Sequence, residues 1–504
     1  MANSPVGSLW LQQHFQLNRY MLSHRSYIGP RNKIELNEDG GIDETFGPKY
    51  EPKISNPFSH IEFSLKYDDL SLEFLLAVFE KISMEDVVNY IAGNPSRKYE
   101  RFIGFYYELL TGRQVHLDEP VTGNYIDLLD GKKYITGKPI KNTRWHINDN
   151  LLGVRNFCPV IRRTKALQTL LQSDLKEQIQ QLTKNYPPDI FYRAINYLYT
   201  KETRSSYEIE KEKPSPERVQ RFISLLTQAG EKPGDILLSE ENLTKLQNVI
   251  VDPRFAATGY RDFQNYIGQS LPNFKEIIHY ICPPPGYLDS LMQGLMNAVT
   301  KTEGAPPVVR AAVIAFGFVF AHPFEDGNGR IHRFLIHDML TRDGIVPKGL
   351  IIPVSAHMLN NMPAYDQALE VYSVPLMQRV SYNKTPEGEI IVTNSKEVES
   401  YFRYPDLTVQ CSYLAHTIEA TITDDMTDEL EYLLHYDEAK KEIQAIVDMP
   451  NKDIDLMIAF LHQNKGVFPN RRRKQFPKLT DQEITSMQKA FRNVFQLPPI
   501  KDAE

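Results

Sequence analysis

Apolar residues recur at helical spacing along most of the chain. From Leu70 onward, Leu72, Phe74, Leu75, Val78 and Phe79 share one side. A second helix is expected after Ser83, and a third from about Arg97 to Leu110, stopped by Gly112. Ile190, Ala194, Ile195 and Leu198 predict a helix running into Thr203–Lys211. Ser215-Pro216 reads as an N-cap followed by proline in the first turn, with Val219, Phe222, Ile223 and Leu226 as the buried stripe and Gly230 as the stop. Another helix is expected over Glu240 to Ile250. Val308 to Ala321 is almost wholly apolar, broken only by Arg310, and predicts a buried helix. After it, Arg330 to Leu340 carries Ile331, Phe334, Leu335 and Met339 at helical spacing. Near the end, Leu430, Leu433, Leu434, Ala439 and Ile443 line one helix, and Ile454, Met457, Ile458 and Leu461 the next. Thr480 to Glu483 is a capping box for the last.

Strand patterns are fewer. Tyr125–Leu129 and Lys133–Thr136 flank Asp130-Gly131, a hairpin signal. Tyr266-Ile267 and Ile277 to Ile281 are further β-prone runs, ended by Pro283–Pro285. A small hairpin is expected around Asn383–Gly388. Residues 1–60 hold many turn formers and little periodicity, so an extended or loosely packed lead-in is expected.

Composition narrows the class. A chain of 504 residues can bury two or three sizeable cores, and 41% hydrophobic with 24% charged residues is ordinary for a globular protein. A net charge of −7 argues against a globally basic nucleic-acid binder. Cys158, Cys282 and Cys411 are widely separated, offer no disulfide or metal spacing, and favour a reducing cytoplasm. No apolar run reaches the roughly 20 residues needed to span a bilayer, and no membrane partner is expected.

One stretch concentrates chemistry: His322-Pro323-Phe324-Glu325-Asp326-Gly327-Asn328-Gly329-Arg330-Ile331-His332-Arg333. Gly327 and Gly329 permit backbone geometries that let consecutive N–H groups converge on an anion, and the following helix directs its positive end to the same place. Arg330 and Arg333 lie three apart and can fork onto phosphate oxygens. Asp326 offers a hard oxygen ligand suited to Mg²⁺. His322 is the natural general base for a hydroxyl nucleophile.

This stretch matches, at every defining position, the signature His-Pro-Phe-x-Asp/Glu-Gly-Asn-Gly-Arg-x-x-Arg, and so resembles the Fic family. The resemblance implies a mainly α fold: a Fic helical core with a β-hairpin flap, flanked by an N-terminal α+β region and a C-terminal helical domain. It implies transfer of AMP from ATP to a Ser, Thr or Tyr hydroxyl of a protein, including itself, with His322 as base. The same pattern places Asn328 at the α-phosphate and Arg330 and Arg333 at the β- and γ-phosphates, with Mg²⁺ on Asp326 and Tyr365 near the adenine. Residues 259–285 resemble the family's flap. Ile278, His279, Tyr280 and Ile281 are expected to dock a target segment by strand addition. Many Fic proteins carry an inhibitory segment Ser/Thr-x-x-x-Glu-Gly/Asn; Ser206 and Glu210 match it, and Lys211 departs from it. Its Glu is expected to pair with Arg333 and exclude the γ-phosphate. The corresponding division is 1–186 N-terminal region, 187–213 inhibitory segment, 214–400 Fic domain and 401–504 C-terminal helical domain.

Two rivals keep other readings open. A glutamate placed like Glu210 can align a water, giving removal of AMP, or the site can transfer another nucleotide-linked group. Alternatively, Arg471-Arg472-Arg473-Lys474 contacts nucleic acid and the core only senses nucleotide; a solvated basic loop is the preferred account of that run. The same preference holds for the cluster Arg155, Arg162, Arg163 and Lys165.

Overall fold

The computed structural model describes residues 3–37, 41–270 and 276–498. Among these residues the fold is mainly helical, with four small sheets. The cap chemistry fixes the helix ends as expected. Ser83 and Ser215 accept from the amides of Asp86 and Arg218, opening helices Met84–Ala92 and Pro216–Leu226. Gly112 closes Lys98–Thr111 in the left-handed conformation, at φ 71°. Thr480 and Glu483 form the reciprocal box at the start of Asp481–Val494.

The largest core surrounds helix Pro307–Ala321, in which every residue but Pro307 and Arg310 is buried. Against it pack Pro285–Lys301, Asn328–Arg342 and Thr408–Ala420. The last continues through a π-helical turn, Thr421–Asp425, into Met426–Ile446. Its beginning therefore belongs to the central core, while Ala439 and Ile443 lie in a separate C-terminal core with Ile454, Met457, Ile458 and Phe491.

Two expectations are corrected. Residues 1–60 are not a loose lead-in: strands Ser4–Val6, His24–Ile28, Ile42–Phe46 and Lys33–Leu36 lie side by side in that order, with the middle pair parallel. The inward positions of His24–Ile28 include His24 and Ser26, which erased the apolar alternation. Ser26 Oγ instead donates to the buried Asp68 carboxylate at 2.5 Å, which also accepts the Ser8 amide at 2.7 Å. The Asp130-Gly131 hairpin is also absent. Ile126–Asp127 pairs in parallel with Ile147–Asp149, which pairs antiparallel with Ile140–Asn142. Asp130 Oδ1 accepts from the Lys132 amide, turning the chain away, and consecutive Leu128 and Leu129 are both buried rather than alternating.

Among the described residues no helix is long and apolar enough to cross a membrane. The expected flap forms as an antiparallel hairpin, Tyr266–Ser270 with Glu276–Ile281; its tip, 271–275, lies outside the described residues. The small hairpin Tyr382–Lys384 with Ile390–Val392 forms too.

Candidate functional site

The loop His322–Gly327 joins the buried helix Pro307–Ala321 to Asn328–Arg342. His322 caps the first in the left-handed conformation, φ 49° and ψ 57°, and Gly327 caps the second at φ 93°, where glycine adopts the turn without strain. Between them every carbonyl is held by protein. Arg261 Nε donates to His322 O at 2.8 Å and its amide to Pro323 O at 2.9 Å. Asn328 Nδ2 donates to Phe324 O at 2.8 Å, and Asn265 Nδ2 reaches Phe324 O and Glu325 O at 3.2 and 3.4 Å. Gln247 Nε2 donates to Asp326 O at 3.3 Å. The amides of Asn328, Gly329 and Arg330, the first turn of the helix, meet no acceptor among the described residues. Such a turn is a ready anion site.

His322 Nδ1 lies 3.2 Å from Val319 O. A carbonyl only accepts, so Nδ1 carries the proton and Nε2 keeps a lone pair. Burial pushes the imidazole pKa down to about 4, with the Arg261 cation adding to the effect against the Val319 bond. The ring is therefore neutral, a base, at neutral pH.

Arg330 and Arg333 are fully buried. Arg333 is met by the Pro188–Ile209 helix: Nε donates to Ser206 Oγ at 2.8 Å, and Nη2 donates to Ser206 O at 2.7 Å and to Glu210 Oε1 at 2.8 Å. The helix is anchored one turn earlier by the buried Glu202, which takes His337 Nε2 and the Ser355 amide, each at 2.8 Å. It ends in a turn where Lys211 N donates to Glu208 O and Glu212 N to Tyr207 O, with Lys211 at φ 58°. That is the left-handed helix stop that glycine or asparagine adopts most readily; lysine takes the same geometry, so its departure from the expected motif leaves the turn intact.

Gly329 differs from the expectation. Its backbone is helical rather than left-handed. What it supplies is room, because a Cβ there would collide with Glu210 Oε1. Asn328 is buried with its side chain bracing Phe324 on both sides, Oδ1 taking the Phe324 amide at 3.1 Å. Tyr365 is buried beside His332 and Arg333, and burial raises its hydroxyl pKa to about 12. Asp326 Oδ1 accepts the Gly327 amide at 2.6 Å and pairs with Arg330, while its carboxylate stays partly exposed.

On the flap, Tyr280 and Ile281 are buried, Ile278 is half-buried, and His279 is exposed at a bulge where Ile267 pairs with Tyr280 and Gly268 with Ile278. Arg261 closes the flap's base by donating to Phe263 O at 2.7 Å and Pro283 O at 2.6 Å. Arg261, Asn265 and Gln247 were not singled out from the sequence; they lie far along the chain from the loop they hold, and no local pattern marks them.

The first basic cluster is largely engaged, and the second is half so, with Arg471 and Lys474 exposed. Arg162 pairs with Asp69 and Asp406, and Arg155 and Arg163 donate to backbone carbonyls. Arg473 pairs with Asp481 and the Phe476 and Leu479 carbonyls, and Arg472 lies 5.0 Å over the Phe460 ring.

Residues 237–340 match the Fic/DOC family. Protein adenylyltransferase fic-1 of Caenorhabditis briggsae is 31% identical over 130 residues, 24% of this chain and 24% of that protein. Protein adenylyltransferase Fic of Drosophila mojavensis is 35% identical over 96 residues, 19% of this chain and 17% of that one. The matched stretch thus spans about a quarter or less of these relatives. A solved Fic family protein from Desulfovibrio desulfuricans G20 aligns over 62% of this chain and 87% of its own at 17% identity and a TM-score of 0.38. The chain contains a Fic/DOC family domain, related distantly and over part of its length to protein adenylyltransferases.

Proposed function

We propose that this domain transfers AMP from ATP to a Ser, Thr or Tyr hydroxyl of a protein, itself included, and that Glu210 restrains it. The observation that carries the reading is the pairing of a neutral imidazole, its Nε2 left with a lone pair, with a helix start whose amides lack acceptors among the described residues and whose two arginines are held by carboxylates. The target hydroxyl attacks the α-phosphorus, its proton passes to His322 Nε2, the bond to the bridging oxygen breaks, and pyrophosphate leaves. The amides of Asn328–Arg330 and the two guanidinium groups oppose the negative charge that builds on the phosphates. Asn328 acts on the α-phosphate through the loop geometry it braces, and Tyr365 acts through Arg333, against which it lies.

Asp326 would hold Mg²⁺. Among the described residues no group of three or more His, Cys, Asp or Glu is placed to hold a metal, and a single partly exposed carboxylate fits a cation coordinated mainly by water and the triphosphate. When bound, the ion supplies charge neutralisation on the phosphates.

Strand addition along the flap presents the target. It reads main chain more than side chain, so buried Tyr280 and Ile281 set the hairpin's position, and the main chain at half-buried Ile278 and exposed His279 would pair with the segment. The test is incubation of the full chain with Mg·ATP and candidate targets, followed by mass spectrometry. An added AMP that is absent with His322→Ala is expected. Absence of any adduct, including with Glu210→Gly, would refute the proposal.

A further inference from the structure

The charge run that follows Glu210 contains a second acid with a defined place. Glu212 Oε1 lies 2.9 Å from Arg330 Nη1, and its Oε2 lies 2.8 Å from Arg218 Nη2. Arg218 is itself fixed, since Nη2 also donates to Ile250 O at 3.1 Å, and it belongs to the helix opened by the Ser215 cap. Arg330 is only 1% exposed, is paired on its other side with Asp326, and has its guanidinium carbon 5.3 Å over the Tyr207 ring. Tyr207 is likewise immobilised, its hydroxyl donating to Ile250 O at 2.7 Å.

The segment therefore meets the two arginines in matched fashion. Ser206 and Glu210 engage Arg333; Tyr207 and Glu212 engage Arg330. The left-handed Lys211 makes this arrangement. Residues two apart that continued along a helix would project about 200° from one another. The reversal at Lys211, sealed by the bond from Glu212 N to Tyr207 O, lets both carboxylates reach the same helix.

We infer that Glu212 is a second inhibitory carboxylate, occupying Arg330 as Glu210 occupies Arg333, so that both phosphate-binding arginines must be released before a triphosphate seats fully. This rests on the proposed function for the identity of the ligand, but its consequence is a binding property that does not need turnover. Removing Glu210 alone leaves Arg330 held by an acid that Arg218 keeps in position.

The experiment measures Mg·ATP affinity by calorimetry on the full chain in a His322→Ala background, comparing no further change, Glu210→Gly, Glu212→Gln and the double variant. Glu210→Gly is expected to tighten binding. Adding Glu212→Gln is expected to tighten it by about a further tenfold, the scale of one close, partly buried ion pair, and by more than Glu212→Gln does alone. Thermal melts check that each variant is folded. Should Glu212→Gln fail to fold, Arg218→Met loosens the same carboxylate from outside the pocket and should shift affinity in the same direction. Unchanged affinity on adding either substitution to Glu210→Gly would overturn the inference. If the double variant binds ATP tightly yet, with His322 restored, yields no AMP adduct, the transfer reaction fails while the role of Glu212 stands.

Discussion

The loop between His322 and Gly327 and the helix that follows it are gripped from two sides by opposite kinds of contact. On the flap side, Arg261, Asn265 and Gln247 hold main-chain carbonyls. On the other, Glu210 and Glu212 hold guanidinium groups. A triphosphate brings acceptors only, so it has nothing to offer a carbonyl but competes directly with a carboxylate for an arginine. On the proposed function, the first grip is framework, and the second is a contact an incoming triphosphate would displace. Glu202, buried on His337 and Ser355, anchors the body of the Pro188–Ile209 helix, so on the proposed function displacement would be confined to the turn beyond it.

Breaking the framework should have the largest effect. Arg261→Met leaves several carbonyls without their donor, and a loss of about 2–5 kcal/mol in urea unfolding is expected. Where the variant still folds, the pH dependence of kcat/KM for AMP transfer sharpens the contrast. A base whose pKa is lowered to about 4 works at any higher pH, so the wild-type rate should rise through about pH 4 and then level. Burial is the main cause and Arg261 adds to it, so Arg261→Met should move that acid limb upward, toward the ordinary histidine value of about 6.5. An unmoved limb would show that Arg261 shapes the loop without tuning the base.

Breaking the displaceable side should give effects of opposite sign on stability and activity. Glu210→Gly strips a partner from buried Arg333, and because the carboxylate is 35% exposed a loss of about 1–2 kcal/mol is expected rather than the full penalty of a buried pair. Adduct yield should rise as stability falls. A parallel fall in both would place Glu210 with the framework instead. The smallest expected effect is at Lys211, whose φ of 58° is strained for any residue with a Cβ. Lys211→Gly should stabilise the turn by about 1 kcal/mol and slightly weaken ATP binding, the reverse of Glu210→Gly.

What the sequence revealed follows the range of each interaction. The signature is twelve contiguous residues, and cap residues such as Ser215, Ser83 and Thr480 act within one turn, so both were legible. The Ser206–Glu210 spacing was legible for the same reason, being one helical turn. Glu212 was not, because in a run of alternating acids and bases only the reversal at Lys211 decides which carboxylate turns inward. Arg261, Asn265 and Gln247 were hidden by chain separation. The N-terminal sheet was hidden by chemistry, since the inward positions are polar: Ser26 is satisfied by Asp68, and His24 Nε2 lies 3.1 Å from Glu44 Oε2.

The bare α-carbon at position 329 has a consequence for how this domain can vary. The hollow it leaves admits Glu210 Oε1, and it borders the unpaired amides that would receive phosphate. A side chain installed there would collide with the Glu210 carboxylate and crowd the edge of that turn. On the proposed function, changes that loosen Glu210 without crowding this hollow are expected between Ser206 and Glu212, upstream of the twelve-residue signature.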